Sequence, residues 1–495
     1  MFPENNASRV DYTAMTTHST KRDVQEQIQH AAPFHISIIE NGPLEATGLS
    51  LIAFGRGAVG MSTLFLGPAL LKLANDAVQM TCDNDENDAD LNCNGDDQGR
   101  VYGMKPSSLL TIIGVVSGLL STLMLPLFGA IVDHTPHRKK IGQISIAVVT
   151  IIKGIEIFVS PATWFAVSIF QVVNFILYNA HSCAIYAYTA EVFYNAKFQE
   201  INYISMLVFL IIVMVLSFSF ATDEVGTACI SQSLAFLVCS CAFGLAWKWF
   251  MSPRPALRHV LSDSTLLKSG FQKLFNTFRS LWCRWYALRY FLLSVMLSES
   301  ATAALSTIST TYMTLVLEMN SNQIGLAFLC VFVAGIPGSK LGYYVGNALN
   351  PLTSAKLCLV VFIINTALAA ILLKGPDHIN SMYIFASIWG VCIGWLHPTH
   401  SALYITIIPR GSESEMMGLY LFSGSVLSFL PPFVFTLLNE IGMRMDMGLA
   451  SLNLFFAGGF AFLSIIGNYN DAVDFALVSQ FDEELPQILG IPEEM

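Results

Sequence analysis

The chain has 495 residues, 54% hydrophobic and only 12% charged, where ordinary soluble domains carry roughly 25% charge. A mean hydropathy of +0.57 spreads this apolar excess along the whole length and excludes a large soluble enzyme, while a net charge of −10 excludes a generally nucleic-acid-binding surface. The acid is unevenly placed: segments 1–48, 75–105 and 469–495 hold 21 of the 35 acids and 5 of the 25 bases, leaving a mildly basic body of 14 acids against 20 bases.

A membrane crossing needs about 20 mostly apolar residues, and twelve segments supply them. After a polar tail (1–48) that reads as disordered and shows no leader, the first six are 49–74, 107–132, 141–160, 162–190, 200–222 and 228–251. A basic linker (252–288) precedes 289–317, 322–346, 354–374, 380–408, 414–439 and 447–468, and an acidic tail (469–495) ends the sequence. The runs are too long and too continuously apolar for barrel strands. The fold class is therefore all-α integral membrane, with twelve transmembrane helices in two six-helix halves. Thirteen Lys and Arg fall in one set of loops and four in the other, which places both termini in the cytosol.

Ionisable residues inside such spans are expensive and are functional suspects. The first span carries Arg56 between Gly55 and Gly57. The loop that follows, Cys82 to Cys93, is acidic but lacks the glycine and glutamate of a calcium-binding hand, so no metal site is expected. A Cys82–Cys93 disulfide is permitted on the non-cytosolic side. The second span ends in Gly129-Ala-Ile-Val-Asp133, then Arg138, Lys139, Lys140 and Gly142. Here Gly129 is expected to allow close helix approach, Asp133 to accept from a helix N-terminus or an Arg, and the basic cluster to anchor at headgroups. On the third span Lys153 and Glu156 share a helix face, either neutralising each other or serving a site. The fourth carries His181 behind Asn174, Tyr178 and Asn179, which, with Asn365 and Trp395 of the second half, suit a polar or aromatic lining.

Within the linker, apolar and aromatic residues recur at helical spacing with bases between them. They form either an amphipathic helix on the cytosolic leaflet or a connector packed under the bundle. Glu299, about ten residues into the seventh span, has no basic partner at helical spacing and is a candidate proton site or ammonium binder. His397 and His400 in the tenth span are weaker candidates, because a buried neutral imidazole is commoner than a ligand, yet histidine titrates in the range of an acidic lumen. Past them come Pro409, Arg410, Gly411, Glu413, Glu415, Gly418, Leu419 and Tyr420, and then Pro431-Pro432. Pro-Arg-Gly ends one helix, and the two carboxylates fall in the first turn of the next, where the helix dipole favours them. Arg410 there is either a latch partner for these acids or part of a well-capped, solvated turn. The paired prolines are expected to bend the eleventh span and free backbone groups to line a cavity.

Six spans plus six around a basic middle loop, with G-x-x-x-D and a basic cluster after the second span, resembles the major facilitator superfamily. The P-x-G-x-E-x-E-x-x-G-L-Y run of 409–420 resembles its vacuole-effluxer branch, the autophagy-related vacuolar amino-acid exporters. Two departures are His134 and His137 in the signature loop, and Arg56 where the superfamily commonly shows an aromatic, acid and Ala-Asn cluster. The resemblance implies a vacuolar or lysosome-like membrane and a single chain as the transport unit. It further implies a small-molecule substrate, an amino acid, moved to the cytosol during autophagy by alternating access, with protons as the coupling ion. No phosphate-binding G-x-x-x-x-G-K-[ST] run occurs, so transport is expected to be secondary and no cofactor is expected. A zwitterion needs a cation and an acceptor, which Arg56 and Glu299 would supply from opposite halves. The alternatives are the same fold moving another small organic solute, or a non-transporting membrane sensor or lipid-handling protein.

Overall fold

The computed structural model describes residues 42–84, 100–191, 195–253, 285–408 and 413–475, together with Arg279 and Trp282. The two tails, most of the linker, Cys93, and Pro409, Arg410 and Gly411 lie outside the described residues. So do the side chains of Asp133, Glu413, Glu415 and Gly418.

All twelve expected segments are helical. The first ten are α1 (Gly42–Asn84), α2 (Leu109–His134), α3 (Arg138–Glu156), α4 (Trp164–Glu191), α5 (Asn195–Ser219), α6 (Glu224–Leu245), α7 (Tyr286–Leu315), α8 (Ser321–Ala348), α9 (Pro351–Leu372) and α10 (Ile379–Ile407). The eleventh span is split into α11 (Glu413–Val426) and α12 (Leu430–Glu440), and the twelfth into α13 (Met445–Ala450) and α14 (Leu452–Ile465). Ten of the twelve are long and apolar enough to cross a membrane. The third and fourth spans fall short, the third because Arg138, Lys139, Lys140, Lys153 and Glu156 crowd its 19 residues. The split in the eleventh is the bend expected from Pro431-Pro432: proline fits the first turn of a helix, where no N–H partner is needed, and breaks any turn before it. Side-chain caps fix other starts. Asn320 and Gln323 bond each other's backbone N–H at the head of α8, Asn350 accepts from Thr353 N–H at α9, and Asp223 accepts from Gly226 N–H at α6.

Consecutive spans alternate in direction, so the bundle has two ends. At one end Lys72 of α1 meets Asp223 and Glu224 before α6, and Tyr102 stacks on Phe165. At the other, Lys139 Nζ donates to Met251 O at 2.7 Å, Tyr188 OH donates to Ser252 O, and Trp285 and Tyr286 pack on Phe475. The second half has one continuous core, whereas the first has three smaller ones. Large apolar side chains also cover the outside, Phe218 being 81% exposed; patches on that scale belong against lipid.

Two close contacts stand out, one between the halves and one within the second. At the Tyr102 end the start of α2 and the end of α12 cap each other across the half boundary. Lys105 Nζ donates to Asn439 O at 3.1 Å, Lys105 N–H donates to Glu440, Arg100 pairs with Glu440 at 3.0 Å, and Asn439 Nδ2 donates to Ser107 and Ser108 Oγ. The buried ammonium satisfies a carbonyl that the end of α12 alone leaves open, and the Asn439 amide ties the two ends together through the serine hydroxyls. The second feature lies within the second half. A Cβ added at Gly338 or Gly390 would collide with the backbone of Val391 or Val331, and one at Gly394 with Gly335 O. Helices α8 and α10 therefore touch backbone to backbone, the close packing that small residues permit in membranes.

Candidate functional site

Between the halves lies a cavity of about 1390 Å³, walled by α1, α2, α4 and α5 on one side and by α7, α8, α10 and the α11–α12 break on the other. Ser428 and Pro432 of the break reach it. The mutual caps of α2 and α12 close the bundle beyond one end of it, and toward the opposite end its wall runs to Gln199, Glu200 and Ser339. The wall is largely apolar. Among the described residues Glu200 is its one carboxylate and His397 its one imidazole, and no Lys or Arg lines it.

Glu299 does find basic partners, but from another helix. His400 Nδ1 lies 3.1 Å and His397 Nδ1 3.3 Å from the same Glu299 Oε1. One residue per turn on α10 thus converges on one carboxylate of α7, which the i, i+3 spacing of the two histidines makes possible. A carboxylate only accepts, so both imidazoles donate from Nδ1. His397 is half exposed and lines the cavity; His400 is fully buried. Beyond it Phe291, Tyr404 and Tyr420 stack with ring centroids 4.8–6.2 Å apart, so Tyr420 of the 409–420 motif packs in the aromatic layer behind this trio.

Arg56 lies on α1 and is 4% exposed. Its guanidinium donates to His181 Nδ1 at 3.1 Å and to Ser182 Oγ at 2.8 Å, and sits 3.9 Å above the Tyr178 ring. Because guanidinium has no acceptor, His181 accepts at Nδ1 and carries its proton at Nε2. Among the described residues no carboxylate pairs with Arg56. Neither Arg56 nor Glu299 lines the cavity; Tyr178 and His397 stand between each and the open space. Lys153 and Glu156 pair at 2.9 Å with both side chains fully buried, and Gln171 Nε2 of α4 donates to the other Glu156 oxygen at 2.6 Å.

In the signature loop Arg138 is buried, its guanidinium 5.4 Å from the Tyr188 ring, and Lys139 caps the chain after α6; Lys140 alone of the three is exposed. The cluster is therefore largely packed into the protein rather than spread at headgroups. Close helix approach, expected at Gly129, occurs instead at Gly142. A Cβ at Gly129 would meet nothing within 4 Å, while one at Gly142 would strike the Trp247 indole. Of the other expected lining residues, Asn174 and Tyr178 reach the cavity. Asn179 bonds Ser121, Asn365 bonds Phe385 O and Trp395 bonds Ser354, all as packing contacts. The sequence reading missed Gln171. Its signal was an uncharged amide one turn before Asn174 on the face that meets Glu156.

No curated protein matches the sequence. Among solved structures, a point mutant of the nucleoside transporter NupG is similar at 12% identity and a TM-score of 0.61, covering 86% of this chain and 100% of that one. The human organic anion transporter MFSD10 gives 14% and 0.54, covering 86% and 100%. The xylose transporter XylE from E. coli in an inward-open conformation gives 12% and 0.54, covering 86% and 95%. These likenesses establish the fold, the twelve-helix arrangement of major facilitator transporters. The profile described as "Vacuole effluxer Atg22 like" matches residues 199–472. With more than half of its length matched, the chain belongs to the vacuole effluxer Atg22-like family of membrane transporters.

Proposed function

We propose that the protein exports amino acids from a vacuole-like lumen to the cytosol by alternating access, coupled to protons. The observation that carries this is the cavity shared by both halves, with a titratable trio at its wall. The Glu299–His397–His400 group is the proton site: two imidazoles and one carboxylate within hydrogen-bond reach share a variable number of protons, and His397 gives them access to the cavity. Arg56, a buried cation without an acid among the described residues, is the partner for a substrate carboxylate, which it would meet once the Tyr178 ring turns aside. In this reading the end bearing Arg138–Lys140 and the termini face the cytosol, the mutually capped end faces the lumen, and the family's autophagic setting supplies the amino acids.

The test is flux in proteoliposomes across a panel of amino acids, sugars and nucleosides, with and without a pH gradient. Gradient-stimulated amino-acid flux, lost in both Arg56→Ala and Glu299→Gln while membrane insertion is kept, supports it. Wild-type-like flux in both variants removes these residues from the mechanism. The scarcity of charge in the cavity wall favours a second reading, in which the same fold moves another small organic solute; flux of sugars or nucleosides without amino acids would establish it.

A further inference from the structure

One wall of the cavity carries a feature that its apolar character conceals. Gln171 and Asn174 lie one turn apart on α4 and both line the cavity. The Glu156 carboxylate behind Gln171 can only accept, and it takes Gln171 Nε2–H at 2.6 Å on one oxygen and Lys153 Nζ at 2.9 Å on the other. That fixes the planar amide with its nitrogen toward Glu156 and its oxygen directed away from it. Asn174 is 4% exposed, and its Oδ1 has no hydrogen-bond partner among the described residues. A buried acceptor without a donor is costly, and in a cavity wall a ligand can supply that donor.

The geometry points to an ammonium-binding subsite formed by the amide oxygens of Gln171 and Asn174, which holds the amino group of the transported solute. An ammonium brings three donors and no acceptor, and its charge-assisted bonds are roughly twice as strong as those of a neutral hydroxyl. Among the described residues no Lys or Arg lines the cavity to oppose an ammonium, and its one carboxylate, Glu200, pairs with Lys197 at 2.9 Å. The Lys153–Glu156 pair acts through Gln171 and is a positioning device, holding the amide in one orientation. Tyr178, one further turn along α4, sits beneath Arg56. The two ends of an α-amino acid would thus be read along a single helix of the first half, with Glu299 left free for protons. The inference rests on the amino-acid reading above only for the identity of the solute.

Binding to the full-length protein in nanodiscs, followed by tryptophan fluorescence, tests it with three matched probes. These are leucine, 3-methylbutylamine (which lacks the carboxylate) and 4-methylpentanoate (which lacks the amine). The wild type is expected to bind both amines more tightly than the acid. Asn174→Ala should weaken both amines about 10- to 100-fold and leave the acid unchanged, while Asn174→Asp, of equal size, keeps or tightens the amines and shows that the fold is intact. Equal losses for acid and amines, no loss for the amines, or a wild type without preference for an amine each overturns the subsite. Amine binding that depends on Asn174, in a wild type that moves no amino acid, would overturn the transport reading and leave the subsite standing.

Discussion

In the first half the buried acid Glu156 meets a lysine three residues away on its own helix, and both side chains are wholly shielded. In the second half the largely shielded acid Glu299, its side chain 14% exposed, meets two histidines from another helix, one of them facing the cavity. The first joins two side-chain types whose ordinary titrations lie outside the physiological range. The second is built from the one side chain whose ordinary titration lies in that range. Burial of a charge is thus common to both halves, and the chemistry of the partner separates a device that orients from one that can respond. Gln171 reports the first to the cavity, and His397 reports the second.

The largest effect is expected from breaking the fixed pair. Lys153→Met leaves Glu156 buried with only Gln171 for company and should cost about 3–5 kcal/mol, seen as a fall in Tm and in the yield of monodisperse protein. The double variant Lys153→Met/Glu156→Gln should recover most of that loss; a single variant as stable as the wild type would erase the contrast. Glu299→Gln should do the opposite, leaving Tm nearly intact while lowering flux driven by a pH gradient about 10- to 100-fold. Substrate exchange without a gradient, measured as counterflow, should persist in that variant, and a parallel loss of counterflow would place Glu299 in solute binding instead.

The smallest effect sharpens the comparison from outside the spans, where water screens charge. Asp223 is held below the usual carboxylate range, first by the Gly226 N–H and then by Lys72, against a modest opposing effect of burial. Its depressed value means that its contribution is complete above the ordinary carboxylate value and fades as pH falls through the lowered one. Asp223→Ala should therefore cost about 1 kcal/mol at neutral pH, and its Tm should begin to approach that of the wild type only as pH falls below about 4. Lys72→Met, which removes only an exposed partner, should cost less than about 1 kcal/mol.

The spans were legible because lipid demands long apolar helices, and the break at Pro431 was legible because proline has no N–H to give. Lys153 and Glu156 were legible as neighbours three residues apart. What could not be read was partnership at a distance: Glu299 and His400 are 101 residues apart, and no periodicity on α7 announces a histidine on α10. Lys105 counted only as a loop base, although it is 6% exposed and bonded to the last turn of α12. Gln171 escaped notice because its importance comes from what stands behind it. The use of the α8 glycines as a contact surface was equally hidden, because it depends on Gly390 and Gly394 of α10.

That contact has a mechanical consequence. Where two helices touch through side chains, they can slide by exchanging rotamers; where backbone meets backbone, no such slack exists. Helices α8 and α10 therefore travel as one stiff plank. At one place the plank carries His397 of the proposed proton site. At another it carries Phe332, whose carbonyl takes the hydroxyl of Tyr203 from the opposite half. Under the proposed coupling, gaining or losing a proton at the trio would pull on that distant handhold through the plank, with no chain of side chains needed between them.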